Sequence, residues 1–445
     1  MLANKRITYR EIWSITLPII LGNLAQTMIA IIDTIFVSHL GEVELGASMM
    51  ASIYYYVWTT LPWGFAIGVQ ILIARRVGEG KLSKIGLIFK NALLSMVVLG
   101  CLLFVLIYSF TPQILARTIS SPKVLAAALE FMNYRVLGIV FVSLNYFARY
   151  FFIGISQTKI ISVTTLAMGV VNVILDYGLI FGRLGLPAMG IGGAALASTI
   201  AEAVATMVFI IYLLKFFSYK KYSLFGSHKF EGAVILSLVK LSVPTMIQKL
   251  FSIGVWYLFF VMVEHLGERE IAISGILRNF MMLAGVGIFA FGASANAIVS
   301  RVIGSGHPKA VFPILRMTII SSFLFVIPAI VMCVCSPEVL LSIYTNDMSL
   351  IAESKAALMV LCLGLMSYVP GITCFEAVSG TGNTTHALLI ELVVLIAYFL
   401  SAYFIINVLN AGVAAAWLCE TVYGTTIFIG SYLYLRYFNW QKIKL

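Results

Sequence analysis

The sequence is poor in charged residues. Its 29 lysines and arginines and 18 acidic residues make up only 11% of 445 positions. A soluble domain carries roughly 25% charged residues, so this shortage excludes an ordinary water-soluble globular protein. Apolar residues make up 61% of the chain, and the mean hydropathy is +1.03. A lipid bilayer is the solvent that suits such a composition.

Histidine and cysteine are also rare, with five and six copies. All six cysteines fall in apolar stretches, and none has metal-ligand spacing to a histidine or to another cysteine. We therefore expect buried free thiols. No Ser-His-Asp order, His-rich metal set or phosphate-binding loop occurs in the sequence. From these absences we predict that the protein is not an enzyme and has no cofactor.

Long apolar runs account for most of the chain. They lie near 12–38, 47–74, 86–110, 131–153, 160–182, 190–214, 233–263, 271–300, 312–335, 351–376, 386–409 and 412–435. Each run is long enough to cross a hydrocarbon core of ~30 Å, which requires about 20 residues. A transmembrane β-barrel would show short alternating segments instead. The prediction is an all-α polytopic membrane protein with 12 transmembrane helices.

Lysine and arginine concentrate at both termini and in alternate loops. The basic groups include Lys5, Arg6, Arg75, Arg76, Lys220, Lys221, Lys229, Arg301, Arg436 and Lys444. The other loops carry more acid, such as Glu42, Glu268 and Glu338. By the positive-inside rule both termini are expected in the cytoplasm. The formal charge of +11 then reflects membrane topology and does not indicate a nucleic-acid partner.

The sequence repeats itself at an offset of 226 residues, the distance from His39 to His265. The same offset joins Pro18 to Pro244, Gly78 to Gly304 and Gly154 to Gly380. Six helices return a chain to its starting side, so the two halves should share one orientation around a central cavity. We predict two pseudo-symmetric six-helix bundles, 1–214 and 233–445. Between them, 215–232 is either an interfacial cytoplasmic linker or an ordinary loop.

Several motifs resemble those of one transporter family. The first span holds Leu17-Pro18, Gln26 and Asp33-Thr34, and the loop after the second span reads Arg-Arg-Val-Gly-Glu-Gly at 75–80. Gly380-x-Gly382-Asn383-Thr384 follows the tenth span. In order and spacing the chain resembles the multidrug and toxic compound extrusion (MATE) transporters. The resemblance implies V-shaped alternating access and cation-coupled export.

Within that family the chain is most similar to the DinF-like branch, which places an Asp in helix 1 and an Asn-x3-Asp pair in helix 5. The matching residues here are Asp33, Asn172 and Asp176. Other branches carry acids in helices 7 and 10, where this sequence has Ser252 and Tyr368. A cation site of that form is therefore not expected in the second half.

The residues themselves also single out this acidic group. An ionisable side chain at membrane depth is costly, so Asp33 and Asp176 are candidates for H⁺ or Na⁺ coupling. Asn172 lies one helical turn before Asp176 on the same face, and Ser198 and Thr199 could add hydroxyl oxygens to a Na⁺ site. The alternatives are an outer-interface role for Asp33, a helix-end cap for Asp176, and simple helix packing for the hydroxyls.

Other features of the spans admit two interpretations. Glu202, Glu376, Arg149 and Arg278 are expected to form buried structural pairs, with Glu376 kept as a further coupling candidate. Aromatic residues could either line a substrate cavity or face lipid. They are Tyr55, Trp58, Trp63, Trp256 and Tyr257. Pro18 and Pro244 are predicted hinges, because a proline interrupts helix hydrogen bonding.

The sequence thus predicts a monomeric antiporter of the plasma (inner) membrane that exports small organic, cationic compounds in exchange for H⁺ or Na⁺. The alternative is a lipid-linked glycan flippase of a related family, although such a protein should have a cationic cavity, whereas Asp33 and Asp176 are acidic. A passive channel is disfavoured because no Gly-rich re-entrant filter is present.

Overall fold

The structure is a computed structural model that describes residues 7–226, 230–345, 347–443 and 445. Lys5, Arg6, Lys229 and Lys444, which belong to the predicted charge asymmetry, lie outside the described residues. Within the described ranges all regular secondary structure is helical, which confirms the all-α prediction.

Seven α-helices form the first half of the chain. They are α1 (Tyr9–Ser38), α2 (Glu42–Gly78), α3 (Lys84–Thr118), α4 (Pro122–Arg135), α5 (Gly138–Gly154), α6 (Lys159–Phe181) and α7 (Gly190–Lys215). Helix α7 packs against α4, α5 and α6, and α3 packs against α5. A short 3₁₀ turn, Tyr219–Tyr222, follows α7.

The second half contains eight α-helices, two of which are short. They are α8 (Gly232–Glu264), α9 (Glu268–Gly304), α10 (Val311–Cys335), α11 (Pro337–Leu341), α12 (Met348–Gly380), α13 (Thr384–Tyr403), α14 (Val413–Ala416) and α15 (Leu418–Tyr437). A π-helical turn, Phe404–Val408, extends α13. Helix α12 lies at the centre of this half, against α9, α10, α13 and α15.

The described chain holds 11 helical segments long and apolar enough to cross a membrane, and 12 when the bent pair α4 and α5 counts as one span. The fourth span, predicted near 131–153, is broken in the structure, with α4 and α5 meeting at 53°. It also starts earlier than its apolar run, because the Ser121 side chain caps α4 and Pro122 occupies its first position, where a proline loses no helix hydrogen bond.

The helix bounds follow the sequence repeat. Helices α2 and α9 begin and end 226 residues apart, and α12 spans the same interval, Met348–Gly380, as Pro122–Gly154 displaced by that offset. Gly80 and Gly306 both close their turns with positive φ, 72° and 79°, a conformation that glycine adopts readily. These glycines serve as turns in both halves, as their sequence context predicts.

The chain forms two compact units whose borders fall inside α1, α2 and α8. One unit contains 17–77 and 81–246, and the other contains 247–445 together with 1–16 and 78–80. The borders in α1 and α8 fall close to a proline, at Thr16–Leu17 before Pro18 and at Met246–Ile247 after Pro244. The lobes 1–214 and 233–445 stay a prediction; the compact units are divided differently within α1 and α8 and at 78–80.

Much of the helix surface is apolar and exposed. On α3, for example, Val98, Leu102 and Val105 are all more than half exposed. Such a surface is stable in lipid but not in water. Cys101 and Cys335 are exposed on these helices as well, whereas the other four cysteines are buried. The expectation that all six thiols are buried is therefore wrong for two of them.

The segment after α7 divides its aromatic residues between core and surface. Phe217 and Tyr222 are buried, and their rings stack 5.2 Å apart. Phe216 and Phe225 are largely exposed. Whether 215–232 lies at a membrane interface stays a prediction.

Candidate functional site

Three predicted coupling residues, on three helices of the first half, lie together, and a fourth, Asn172, is one helical turn before Asp176 on α6. Asp33 of α1 and Asp176 of α6 have carboxyl groups within hydrogen-bonding reach of each other. Asn172 and Asp176 are 1% and 0% exposed. The Ser198 hydroxyl of α7 donates to Asp33 Oδ2 over 3.5 Å. This arrangement, which we call the acidic cluster, consists of Asp33, Asn172, Asp176 and Ser198.

The acidic cluster has unused hydrogen-bonding capacity. Asp33 Oδ1, both carboxyl oxygens of Asp176 and both amide atoms of Asn172 are buried without a hydrogen-bond partner among the described residues. Buried polar atoms are normally satisfied, because an unpaired one costs about 1–3 kcal/mol. Two carboxyl groups, an amide oxygen and a hydroxyl offer up to six oxygen atoms. A shared proton or an oxygen-loving cation would satisfy them.

A buried ion pair adjoins the acidic cluster. Arg135, at the end of α4, holds Glu202 of α7 through two hydrogen bonds of 2.8 and 2.5 Å. The side chains are only 14% and 12% exposed. Arg135 also lies over the Tyr55 ring, 4.2 Å from its centroid, and is close enough to Asp33 to attract it electrostatically. The sequence predicts a buried pair for Glu202 but does not identify Arg135 as its partner.

The bend between α4 and α5 makes room for this ion pair. A Cβ atom on Gly138 would lie 2.5 Å from Arg135 Nη1 and 2.6 Å from Glu202 Oε2, which is too close for a real contact. Asn145 of α5 donates to the Glu202 carbonyl over 2.9 Å. Thr199, predicted as a coupling residue, instead donates to the Tyr134 carbonyl over 3.1 Å.

The corresponding place in the second half is aromatic. At the repeat offset Asp33, Asn172 and Asp176 match Phe259, Tyr398 and Ala402. The Phe259 ring is fully buried and lies 6.0 Å from Tyr398 and 5.6 Å from Trp417. Ala402 belongs to the same core cluster. Side chains therefore fill the space that carboxyl groups occupy in the first half.

The other predicted charged residues find separate partners. Glu376 of α12 lies 3.9 Å from Lys249 Nζ and accepts from Asn296 Nδ2 over 3.2 Å. Arg149 donates to Asn23 Oδ1. Arg278 lies over the Phe260 ring at 5.9 Å. The expectation that Arg149 and Arg278 pair with buried acids is corrected by these contacts to an amide and a ring.

The aromatic candidates differ in their surroundings. Tyr55 is buried, and Trp58 packs edge-on against Tyr54. Trp63 donates from Nε1 to the Tyr150 hydroxyl over 2.5 Å. In the second half Trp256 packs against Phe260, whereas Tyr257 is 59% exposed. Their role in lining a substrate cavity stays a prediction.

Comparison with known proteins identifies a family whose model matches both halves of the chain. The MatE family model matches the chain twice, over residues 18–178 and 244–404, so the two matches begin at Pro18 and Pro244. A protein of Thermotoga maritima named "Probable multidrug resistance protein NorM" is 23% identical over 97% of this chain and 93% of its own length.

Solved structures share the fold at low sequence identity. A transporter of the MOP superfamily from Pyrococcus furiosus has a TM-score of 0.87 at 17% identity, covering 96% of this chain and 95% of that one. The eukaryotic MATE transporter AtDTX14 has a TM-score of 0.84 at 16% identity, covering 97% and 96%.

The apolar helices and the internal repeat define a multi-pass integral membrane protein, and the family that its sequence matches consists of transporters, not enzymes. The chain belongs to the MatE family, the MATE transporters, which confirms the family resemblance seen in its motifs. Membership of the DinF-like branch stays a prediction.

Proposed function

We propose that this protein is a cation-coupled multidrug exporter of the plasma membrane that expels organic cations in exchange for H⁺ or Na⁺. The observation that carries the proposal is the acidic cluster, with five buried atoms that lack hydrogen-bond partners. The name of the Thermotoga maritima relative favours drugs as substrates. The acidic character of the cluster favours a cation as the coupling ion over a lipid-linked pyrophosphate as substrate.

In this proposal the coupling ion binds between Asp33 and Asp176, with Asn172 contributing its amide oxygen and Ser198 its hydroxyl. A proton would be shared by the two carboxyl groups, since like charges so close together cannot both remain ionised without compensation. A Na⁺ ion would instead accept several of the available oxygens as ligands. Ion binding in either form removes the repulsion between the carboxylates.

Ion binding must favour one transport state to drive export. To shift an equilibrium between two states from 1:99 to 99:1, an ion must bind one state about 10⁴-fold more tightly, which corresponds to about 5.5 kcal/mol. Asp33 and Pro18 lie on the same helix, α1. We infer that occupation of the acidic cluster changes the bending of α1 at Pro18, with Pro244 as the matching hinge in α8, because along the chain a compact unit ends or begins within three residues of each proline.

The proposal is tested with purified protein in liposomes and ethidium as the organic cation. We expect Asp33→Asn to abolish ethidium transport, because the variant cannot exchange a proton or balance the charge of Na⁺ at that position. Glu264→Gln is the matched control, since Glu264 is an exposed acid in the last turn of the equivalent helix α8. It should transport like wild type.

The driving ion is identified by imposing ΔpH alone or a Na⁺ gradient alone. Transport by wild type under one gradient and its absence in Asp33→Asn under both gradients would support the proposal. Wild-type rates in Asp33→Asn at equal protein content would refute the assignment of Asp33.

A further inference from the structure

A buried acid in the second half takes no part in the proposed mechanism. Glu391 of α13 is 1% exposed. Its Oε1 accepts two hydrogen bonds, from Ser252 Oγ of α8 over 2.6 Å and from the Tyr423 hydroxyl of α15 over 3.0 Å. Its Oε2 is buried and has no hydrogen-bond partner among the described residues. Oε1 of this carboxyl group therefore has two hydrogen-bond donors, whereas Oε2 has none among the described residues.

The environment of Glu391 contains more acid than base. Lys249 lies one turn before Ser252 on α8 and contacts Glu376 of α12 at 3.9 Å. Titratable groups face Glu391 from every helix packed around it. They are Lys249 on α8, Tyr368 and Glu376 on α12, and Tyr423 on α15, and the Glu420 carboxyl group lies close to Tyr368 and Tyr423. The single Lys249 ammonium cannot balance both Glu376 and Glu391.

The hydrogen bonds indicate which of these acids binds a proton and is uncharged. Glu376 has Lys249 beside Oε1 and the Asn296 amide at Oε2 over 3.2 Å, so both of its oxygens are compensated as a carboxylate. Glu420 accepts from the Tyr398 hydroxyl over 2.9 Å. Glu391 is the member of this group with an oxygen that is buried without a donor. An ionised oxygen without a donor in an apolar site is strongly disfavoured.

We propose that Glu391 is a second proton-binding site, located in the second half of the transporter. The proton binds at Oε2, and the uncharged carboxylic acid keeps its carbonyl oxygen, Oε1, as the acceptor for Ser252 and Tyr423. A proton suits this site better than Na⁺, because a proton needs only Oε2, whereas Na⁺ needs several oxygen ligands and Oε1 already accepts hydrogen bonds from Ser252 and Tyr423.

Glu391 has no acidic counterpart in the first half. The residue 226 positions earlier is Thr165, whose hydroxyl donates to the Ile161 carbonyl. Asp33 likewise has no acidic counterpart in the second half. The halves of the repeat thus carry different acids at different places. A role for Glu391 in coupling depends on the proposed cation-driven export. The proposal that Glu391 binds a proton does not depend on it.

Infrared difference spectroscopy tests the protonation directly. Purified wild-type protein should show the C=O stretching band of a buried carboxylic acid near neutral pH, and the band should shift in D₂O. Glu391→Gln should remove a band equivalent to one carboxyl group. Glu338→Gln is the control, because Glu338 on α11 is exposed and paired with Lys355, and it should leave the band unchanged. A complete band in Glu391→Gln would overturn the proposal.

A second pair of variants covers the case in which Glu391→Gln does not fold. Ser252→Ala and Tyr423→Phe each remove one hydrogen bond to the carbonyl oxygen, so each should move the band to higher frequency. An unmoved band in both variants would overturn the proposal. Replacing choline by Na⁺ at constant pH should not change the part of the band that depends on Glu391. Loss of that part of the band in Na⁺ would overturn the proposal and show a sodium site instead.

The two proposals can fail separately. A Glu391 band without ethidium transport under any gradient would refute cation-driven export and leave the proton site intact. Transport that requires Asp33, together with a full band in Glu391→Gln, would refute the proton site alone.

Discussion

Replacement of Arg135 by methionine should destabilise the first half of the transporter markedly. The guanidinium group of Arg135 holds Glu202 at 2.8 and 2.5 Å, and the two side chains are 14% and 12% exposed. Arg135→Met leaves the Glu202 carboxylate buried and uncompensated beside Asp33. Removal of one partner of a buried pair costs roughly 3–5 kcal/mol.

Two features of the site set the expected magnitude within this range. The partial exposure of Arg135 and Glu202 lets solvent reduce the penalty. The lost contact with the Tyr55 ring at 4.2 Å increases it, since a cation–π contact contributes about 0.5–2 kcal/mol. We therefore expect Arg135→Met to lower the free energy of unfolding by about 4 kcal/mol.

The double variant Arg135→Met, Glu202→Met separates charge from packing. Both charges are then absent, and the methionine side chains retain most of the apolar volume. Replacement of a buried ion pair by apolar residues is often neutral or stabilising, so the double variant should recover most of the lost stability. The measurement is reversible unfolding in mixed detergent micelles, followed by tryptophan fluorescence.

A surface pair provides the control for this experiment. Glu338 and Lys355 are 64% and 37% exposed, and such pairs contribute little to stability. Lys355→Met should therefore unfold like wild type. If the double variant at Arg135 and Glu202 is as unstable as the single one, the loss comes from packing and the charge argument is refuted.

Two further predictions concern the hinge and the aromatic core. Pro18→Ala should reduce ethidium transport while Pro112→Ala, near the C-terminal end of α3, should not; equal rates for wild type and Pro18→Ala would argue against a hinge in α1. Phe259→Asp places the acid of the first half at the matching position of the second half, where it would be buried among the Tyr398 and Trp417 rings. It should lower the unfolding midpoint far more than Phe259→Leu, because a buried unpaired charge is costly, and equal midpoints for the two variants would contradict this reasoning.

The sequence by itself determined the features that depend on local composition. Length and hydropathy define the spans, since a bilayer requires about 20 apolar residues per helix. The offset from Pro18 to Pro244 recurs in the helix bounds and in the two family matches. Asp33, Asn172 and Asp176 could be selected because polar groups are rare in apolar runs. Their pairing across α1 and α6 was only an expectation.

The tertiary structure alone decided which buried groups meet. Arg135 is one of two arginines within 131–153, and no pattern in the sequence distinguishes it from Arg149 as the partner of Glu202. The bend after α4 places Arg135 beside α7, whereas Arg149 reaches Asn23. Ser252 likewise contacts Glu391 across 139 positions of sequence. Such contacts depend on how each helix is rotated and packed against its neighbours, which is a property of the whole bundle, whereas hydropathy is a property of each segment.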